Sequence, residues 1–486
     1  MRSERVDSAV EPETPATTPP DLAARLLEIG LAALLILAPL PFGAVGAAGR
    51  LALEIGAFVL LAIWAVRAFA KPTPLPTTLA RVGIAGLLGL ALIQTLPLGS
   101  AAVSRLSPMS LEIRDDSRPP AAELLAERRL VGAELDRLES RATLSVDPSA
   151  TASALRTGAM MAALLLVATT VASVCGVRQL ALALLASAAF QGLYGLLVLA
   201  SSQPRIWHLA KEHYLGSATG TLINRNHFAC LLAMSLACGL ARILASVEWS
   251  RPASRRSRLL QLFDGENSRN LLLGLLLVVG LAGLLASFSR AGIAVGLLAL
   301  GLTVLAAGRF RRWRVRLVVV SIIVGVAALP LLQIGAERLV GRYEGSAESF
   351  LVPGGRGDVW MDTLSIAAAF PFAGSGFGSF AAAYPLFRSP EVRLYYAHAH
   401  NDPLQALAEG GGLGLVFLLV LLTPILQSVV RSLGGAKGTL AVGFAAGLTA
   451  VLLHSLVDFN FHIPSNAATA AVLAGALQGL PWIRRR

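Results

Sequence analysis

Charge is what this sequence has least of. Only 14% of its 486 residues are Asp, Glu, Lys or Arg, against about 25% in soluble domains. The shortfall excludes an ordinary water-soluble globular protein. Cysteine is scarce as well. Of three cysteines, Cys230 and Cys238 share one apolar run and Cys175 sits in a short basic turn, which supports neither a disulfide framework nor a thiolate metal site. No cleavable signal peptide is evident, so the first apolar run is expected to remain as an anchor. Internal repeats are missing, and the apolar runs are nearly free of charge. Both absences count against a secondary transporter, which tends to hold ionisable groups near mid-membrane in paired, broken helices.

What the chain has instead is apolar length. Hydrophobic residues make up 55% and mean hydropathy is +0.67. Runs of about 18 apolar residues or more, each long enough to cross a bilayer, recur throughout. The fold class expected is therefore an all-α polytopic membrane protein with about twelve transmembrane helices and two large periplasmic loops. The boundaries read as a disordered cytoplasmic tail over 1–25, helices one to three over 26–98, and a periplasmic loop over 99–151 with an amphipathic stretch at 121–138. Helices four to nine follow over 152–335, with the ninth at 315–335. A large periplasmic loop over 336–402 leads to helices ten to twelve over 403–483.

The net charge of +12 invites a nucleic-acid partner, but the partner it implies is the lipid bilayer. More than half of the 41 Lys and Arg residues fall in short segments that come out on one side when both termini are cytoplasmic, as the positive-inside rule requires. That orientation brings His208, His213, His227, His398, His400, His454 and His462 on or near the opposite, periplasmic face, together with Arg225, Arg290 and Arg356. A single site between helix ends needs such a shared face.

The stretch Tyr395-Tyr396-Ala397-His398-Ala399-His400-Asn401-Asp402-Pro403-Leu404-Gln405 is where chemistry and membrane meet. Asp402 is a good N-cap type and Pro403 suits the first helical position. His400 then faces the positive end of a membrane helix, a field that disfavours a charged imidazole and attracts phosphate. Asn224-Arg225-Asn226-His227 opens another run, with an arginine able to grip a diphosphate bidentately or to snorkel to headgroups. Arg290, in the tight Ser289-Arg290-Ala291-Gly292 turn, has the same two readings. Arg356 and Asp358 precede an amphipathic segment, Val359–Phe370. Gly374-Ser375-Gly376-Phe377-Gly378 lacks the context of a phosphate loop. His454 and Asp458 share a helix face if their run is helical, so that the carboxylate orients an imidazole. His398 and His400 form an H-x-H pair able to bind zinc, but no carboxylate or thiolate completes a set at a familiar spacing. No metal and no cofactor is assigned.

In order, these motifs resemble the O-antigen ligase family. His400-Asn401 followed by Gly411-Gly412-Leu413-Gly414 is similar to that family's periplasmic signature, and Asn224–Ala229, Ser289-Arg290 and Arg356…Trp360…Gly378 are similar to its other conserved stretches. The likeness runs over about 215–420, with His454–Pro464 resembling the C-terminal part. The N-terminal third, with its insertion near 100–150, is closer to polysaccharide polymerases of the same superfamily.

The resemblance implies a metal-independent, inverting glycosyltransferase at the periplasmic face of the bacterial inner membrane. Its donor would be an undecaprenyl-diphosphate-linked glycan and its acceptor lipid A–core or a growing polysaccharide. His400 would act as general base, Arg225, Arg290 and Arg356 would hold the diphosphate, and His398, Asn401, Asp402 and Asp458 would support them. A repeat-unit polymerase and a protein O-oligosaccharyltransferase share this donor logic, and a secondary transporter is the alternative from another class.

Overall fold

The computed structural model describes residues 19–116, 141–246, 265–307, 353–434 and 438–480. It is almost entirely helical, as a chain must be whose backbone N–H and C=O groups are to be satisfied inside lipid. The helices are α1 (Leu22–Leu37), α2 (Ala47–Ala70), α3 (Thr78–Thr95), α4 (Ser100–Leu106), α5 (Pro108–Asp116), α6 (Pro148–Val174), α7 (Arg178–Ala200), α8 (Arg225–Ser246), α9 (Gly265–Ala286) and α10 (Arg290–Ala306). They continue with α11 (Arg356–Ala369), α12 (Phe380–Phe387), α13 (Asp402–Leu433), α14 (Thr439–His454) and α15 (Pro464–Gly479). Two minimal antiparallel ladders tie loops together. Leu98-Gly99 (β1) pairs with Arg141-Ala142 (β2), and Arg205-Ile206 (β3) with Leu209-Ala210 (β4).

Local sequence starts these helices where it should. Asp147 accepts from the N–H groups of Ser149 and Ala150, with Pro148 in the first turn of α6. Ser289 Oγ accepts from Gly292 N–H at the head of α10, and Asn401 Oδ1 from Leu404 N–H at the head of α13. Each satisfies an amide that the helix cannot. Helix α8 is buried along nearly its whole length, packed by α7, α9, α10 and α14. Small residues permit the close approach: Gly443 and Gly447 of α14 lie against the backbone of Ala237 and Met234, the usual way helices associate without a hydrophobic drive between them.

Seven helices among the described residues are long and apolar enough to cross a membrane, so the chain is a multi-pass membrane protein, but the expected twelve are not reached. Two further apolar helices, α10 and α14, fall short of that length. The apolar runs extend past the helices into caps and loops: α14 stops at His454, α8 starts only at Arg225, and α1 ends before Pro39 and Pro41. The expected helix 315–335 and the amphipathic stretch 121–138 lie outside the described residues. The polar stretch over 336–402 is not an open loop, for from residue 353 it carries α11 and α12, packed on a small core of Val359, Ile366, Phe370, Phe380 and Tyr384. The apolar runs are also less free of charge than they read, since Glu28, Glu54 and Glu409 are all buried.

The helix ends sort into two sets. The heads of α8, α10, α11, α13 and α15 and the tail of α14 converge through the hydrogen bonds described next. At the other end, Asp21 holds Arg67 and Lys71 (3.1 and 3.4 Å) and thereby ties α1 to α2.

Candidate functional site

Asp458 is the hub. It lies in the turn after α14, 1% exposed, and every polar atom of its carboxylate is used. Oδ1 accepts from Phe459 N–H (2.9 Å) and faces His400 Nδ1 at 3.2 Å. Oδ2 accepts from Asn226 Nδ2 at 2.7 Å, and Asn226 Oδ1 accepts in turn from Ser289 Oγ at 2.8 Å. His227 Nε2 stands 3.7 Å from Oδ1, an ion-pair distance rather than a hydrogen bond. Burial pushes the Asp458 carboxyl upward, but the imidazoles of His227 and His400 overcome it and hold the group well below the usual carboxylate range. With Nδ1–H given to Asp458, His400 keeps its lone pair on Nε2, which makes it an acceptor for an incoming proton. Its ring is 21% exposed, so that nitrogen can be reached. His400 also sits at φ 52°, in the left-handed region that side chains other than glycine seldom occupy, a strain that local packing must hold.

A second acid–imidazole pair lies alongside. His462 Nδ1 faces Asp402 Oδ1 at 2.9 Å, and Asp402 Oδ2 accepts from Phe461 N–H at 3.1 Å. Burial disfavours a charged His462, yet the Asp402 carboxylate, with Glu409 behind it, outweighs burial and raises its pKa. His398 stacks between the two centres, 4.4 Å from the Phe459 ring and 4.5 Å from that of His462. Burial and the neighbouring imidazoles push His398 down to about 2, so it stays neutral.

Gln405 and Glu409 join this layer to the rest of the fold. Gln405 Nε2 faces Glu409 Oε1 (2.9 Å), His462 Nε2 (3.1 Å) and His398 Nδ1 (3.3 Å), while its Oε1 accepts from Ala399 N–H (3.0 Å). The Glu409 carboxylate accepts from Gly378 N–H (2.8 Å) and Phe380 N–H (3.1 Å). The glycine-rich stretch is thereby sewn onto α13. Ser375, Gly376 and Phe377 give their amides to Ala408 O, Glu409 O and Gln94 Oε1. The amides of Ser375, Gly376, Phe377 and Gly378 are all spent on protein acceptors, so this segment is a packing element and not a phosphate cradle.

The three arginines border the hub. Arg225 opens α8 beside Asn226, with its guanidinium over the Tyr214 ring (5.3 Å). Arg290 opens α10 beside Ser289. Arg356 opens α11, and its Nη1 donates to Val457 O, next to Asp458, at 2.9 Å.

Residues 275–419 match the family model described as O-antigen ligase. No curated protein matches the chain. The family is one of membrane glycosyltransferase-type enzymes, and its matched segment in this chain carries Arg290, Arg356, His398, His400, Asp402, Gln405 and Glu409. Arg225, Asn226, His227, Asp458 and His462 reach the same cluster from outside it.

Some local expectations need correction. The cap of α13 is Asn401, not Asp402, because the carboxylate of Asp402 turns to His462 and Phe461 instead. His454 and Asp458 do not share a helix face, since α14 ends at His454 and Asp458 serves His400 across the chain. Arg356 and Asp358 lie inside the first turn of α11 rather than before it, with Asp358 accepting from Gly354 N–H. His398 Nδ1 faces Gln405 and His400 Nδ1 faces Asp458, so the two rings of the H-x-H pair have separate partners. Sequence reading passed over Asn226, Gln405, Glu409 and Phe459 as site residues. The spacing of Asn401, Gln405 and Glu409, four apart, was the available signal, for it puts them on one face of α13.

Proposed function

We propose that this O-antigen ligase-type enzyme transfers a glycan from an undecaprenyl-diphosphate carrier to an acceptor hydroxyl at the periplasmic face of the bacterial inner membrane. One observation carries the reading. The chain of hydrogen bonds Ser289–Asn226–Asp458–His400 joins an oriented imidazole to the backbone neighbours of Arg290 and Arg225, and Arg356 is anchored one residue away at Val457. A base and three cations at convergent helix ends suit a nucleophile that must lose a proton and a leaving group that must keep its charge.

The acceptor oxygen attacks the anomeric carbon as its proton passes to His400 Nε2. The bond from that carbon to the diphosphate oxygen breaks, and undecaprenyl diphosphate departs as an anion stabilised by Arg225, Arg290 and Arg356. A single displacement inverts the anomeric centre. Asp458 holds the tautomer and steadies the imidazolium that forms, the part a buried carboxylate plays in a hydrolase triad. In this reading the arginines, not a divalent ion, offset the diphosphate charge.

The polymerase alternative gains weight from the described ends of the 99–151 segment. Ser145 N–H donates to Gln94 O and Val146 N–H to Ser375 O, so the insertion is rooted beside the glycine-rich stretch, where it can influence which acceptor enters.

The test is transfer by purified protein from a lipid-diphosphate glycan donor, with lipid A–core and lipid-linked repeat units offered in parallel. His400→Ala and Asp458→Asn should each lower kcat by roughly 10²–10⁴-fold while the protein accumulates normally. EDTA should leave the wild type active. Full activity of His400→Ala removes it from the chemistry. Loss of wild-type activity in EDTA, restored by zinc, replaces the arginine-only account with a metal.

A further inference from the structure

The residue most heavily engaged in the cluster is one that touches no substrate position in the mechanism above. Gln405 lies one turn into α13 and is 1% exposed. Because Ala399 N–H donates to it, the atom it presents there must be the amide oxygen, and the other end of the amide is the nitrogen. That nitrogen has only hydrogens to offer, two of them, and no lone pair to give. It nevertheless faces three groups: Glu409 Oε1, His462 Nε2 and His398 Nδ1. The two ring nitrogens that face it must therefore be lone-pair acceptors. His462 carries its hydrogen on Nδ1, toward Asp402, and His398 on Nε2. The Asp402 carboxylate draws a second proton onto His462, and the amide hydrogens of Gln405 oppose one on Nε2.

The oxygen end does something different. Ala399 is fully buried and gripped twice: its N–H by Gln405 and its carbonyl by Trp360 Nε1 at 3.0 Å. The next residue is His400, held at φ 52°. A backbone in that region stays there only where its flanks are fixed. The two hydrogen bonds to Ala399 fix one flank, and the Asn401 cap fixes the other.

We infer that Gln405 is a positioning residue for the base: its oxygen locks Ala399 so that His400 is aimed at Asp458 and the acceptor, and its amide hydrogens hold His398 as a neutral acceptor and oppose a proton on His462 Nε2. The inference rests on His400 being the base. The titratable groups that bear on it are His398 from the preceding loop, His462 from the turn between α14 and α15, and Asp402 and Glu409 on its own helix. His400 and Asp458 lie beyond the Phe459 ring.

Two substitutions separate the roles. Gln405→Leu keeps most of the volume and removes every polar atom. Gln405→Glu keeps the acceptor for Ala399 but puts a second carboxylate against Glu409. Each proton that the altered network takes up, between the two carboxyls or on His462, restores a contact the amide had made. The activity of Gln405→Glu relative to wild type should therefore rise about tenfold from about pH 8.5 to about pH 6. Gln405→Leu has nothing to protonate and should stay low, roughly a hundredfold down, at both. In both variants the loss should appear in kcat, with KM for the donor within about twofold of wild type, since ground-state binding is untouched.

The assay is the same lipid-diphosphate transfer reaction, with each preparation checked by gel filtration and thermal midpoint in detergent. Gln405→Leu at wild-type kcat, or Gln405→Glu with a ratio flat in pH, overturns the inference. A Gln405→Leu protein that is misassembled leaves the pH ratio of Gln405→Glu to decide. If His400→Ala is also fully active, the failure lies in the reading of the base. If His400→Ala is inactive while both Gln405 variants behave as wild type, only the role of Gln405 falls.

Discussion

His398 shows how far surroundings can change one residue. It is held neutral to about pH 2 in the folded protein, whereas an unfolded chain protonates its histidines near pH 6.5. Between those limits the unfolded state binds the extra proton, so the stability is complete above about pH 6.5 and is lost as pH falls, by about 1.4 kcal/mol per unit for one proton. His462 acts the other way, but its contribution is already complete below about pH 6.5 and changes only above it. The thermal midpoint in detergent should thus drop between about pH 6.5 and about pH 5, and His398→Asn should flatten that slope. An unchanged slope in the variant assigns the drop to other groups. At this scale the sequence told part of the story. His400, Asn401 and Asp402 stood out because their chemistry is local, at the head of an apolar run. Asp458 was visible as a carboxylate, but its pairing with an imidazole 58 positions earlier depends on how helices pack, which periodicity does not encode. Phe459 looked like any apolar residue until three imidazole rings were found around it.

Among the elements, α13 was the easiest to foresee and the easiest to misread. Its apolar length announced a span, yet the run contains Gly411 at φ 60° and ψ −161°, outside helical values, and Glu409 just before it. The glycine-rich stretch 374–378 explains both, because it packs into the bend. Gly374 sits at φ 72°, and a Cβ there would run into the carbonyl of Glu409. Gly374→Ala should therefore lower stability by about 1–3 kcal/mol from backbone strain alone, with further loss from the clash. Gly89→Ala on α3 is the matched control. Nothing lies within 4 Å of that position, and a mid-helix alanine should leave stability unchanged or raise it by up to about 1 kcal/mol. Equal behaviour of the two variants in a thermal melt argues that the stretch is not packed on α13. The fold class was legible from hydropathy. The lengths of α10 and α14 were not, since hydropathy cannot tell a last helical turn from an apolar loop.

For the whole molecule, the sorting of helix ends into two sets has a topological counterpart. Both termini and the segment 247–269 are expected on the cytoplasmic side, and the stretches 100–150 and 336–402 outside. Alkaline phosphatase fused within the exposed stretch after Arg388 should be active, and fused within 309–316 inactive. The reverse pattern would put the histidine cluster in the wrong compartment for its donor. The hub has a consequence for biogenesis too. Asp458 and His462 come from the turn between α14 and α15, whereas His400, the proposed base, and the three arginines precede them in the chain. A ribosome that has released everything through α13 into the bilayer has delivered His400 without its carboxylate. On the proposed mechanism, activity switches on late, when the hairpin of α14 and α15 inserts, and a chain stopped short of it would occupy the membrane as an inert protein.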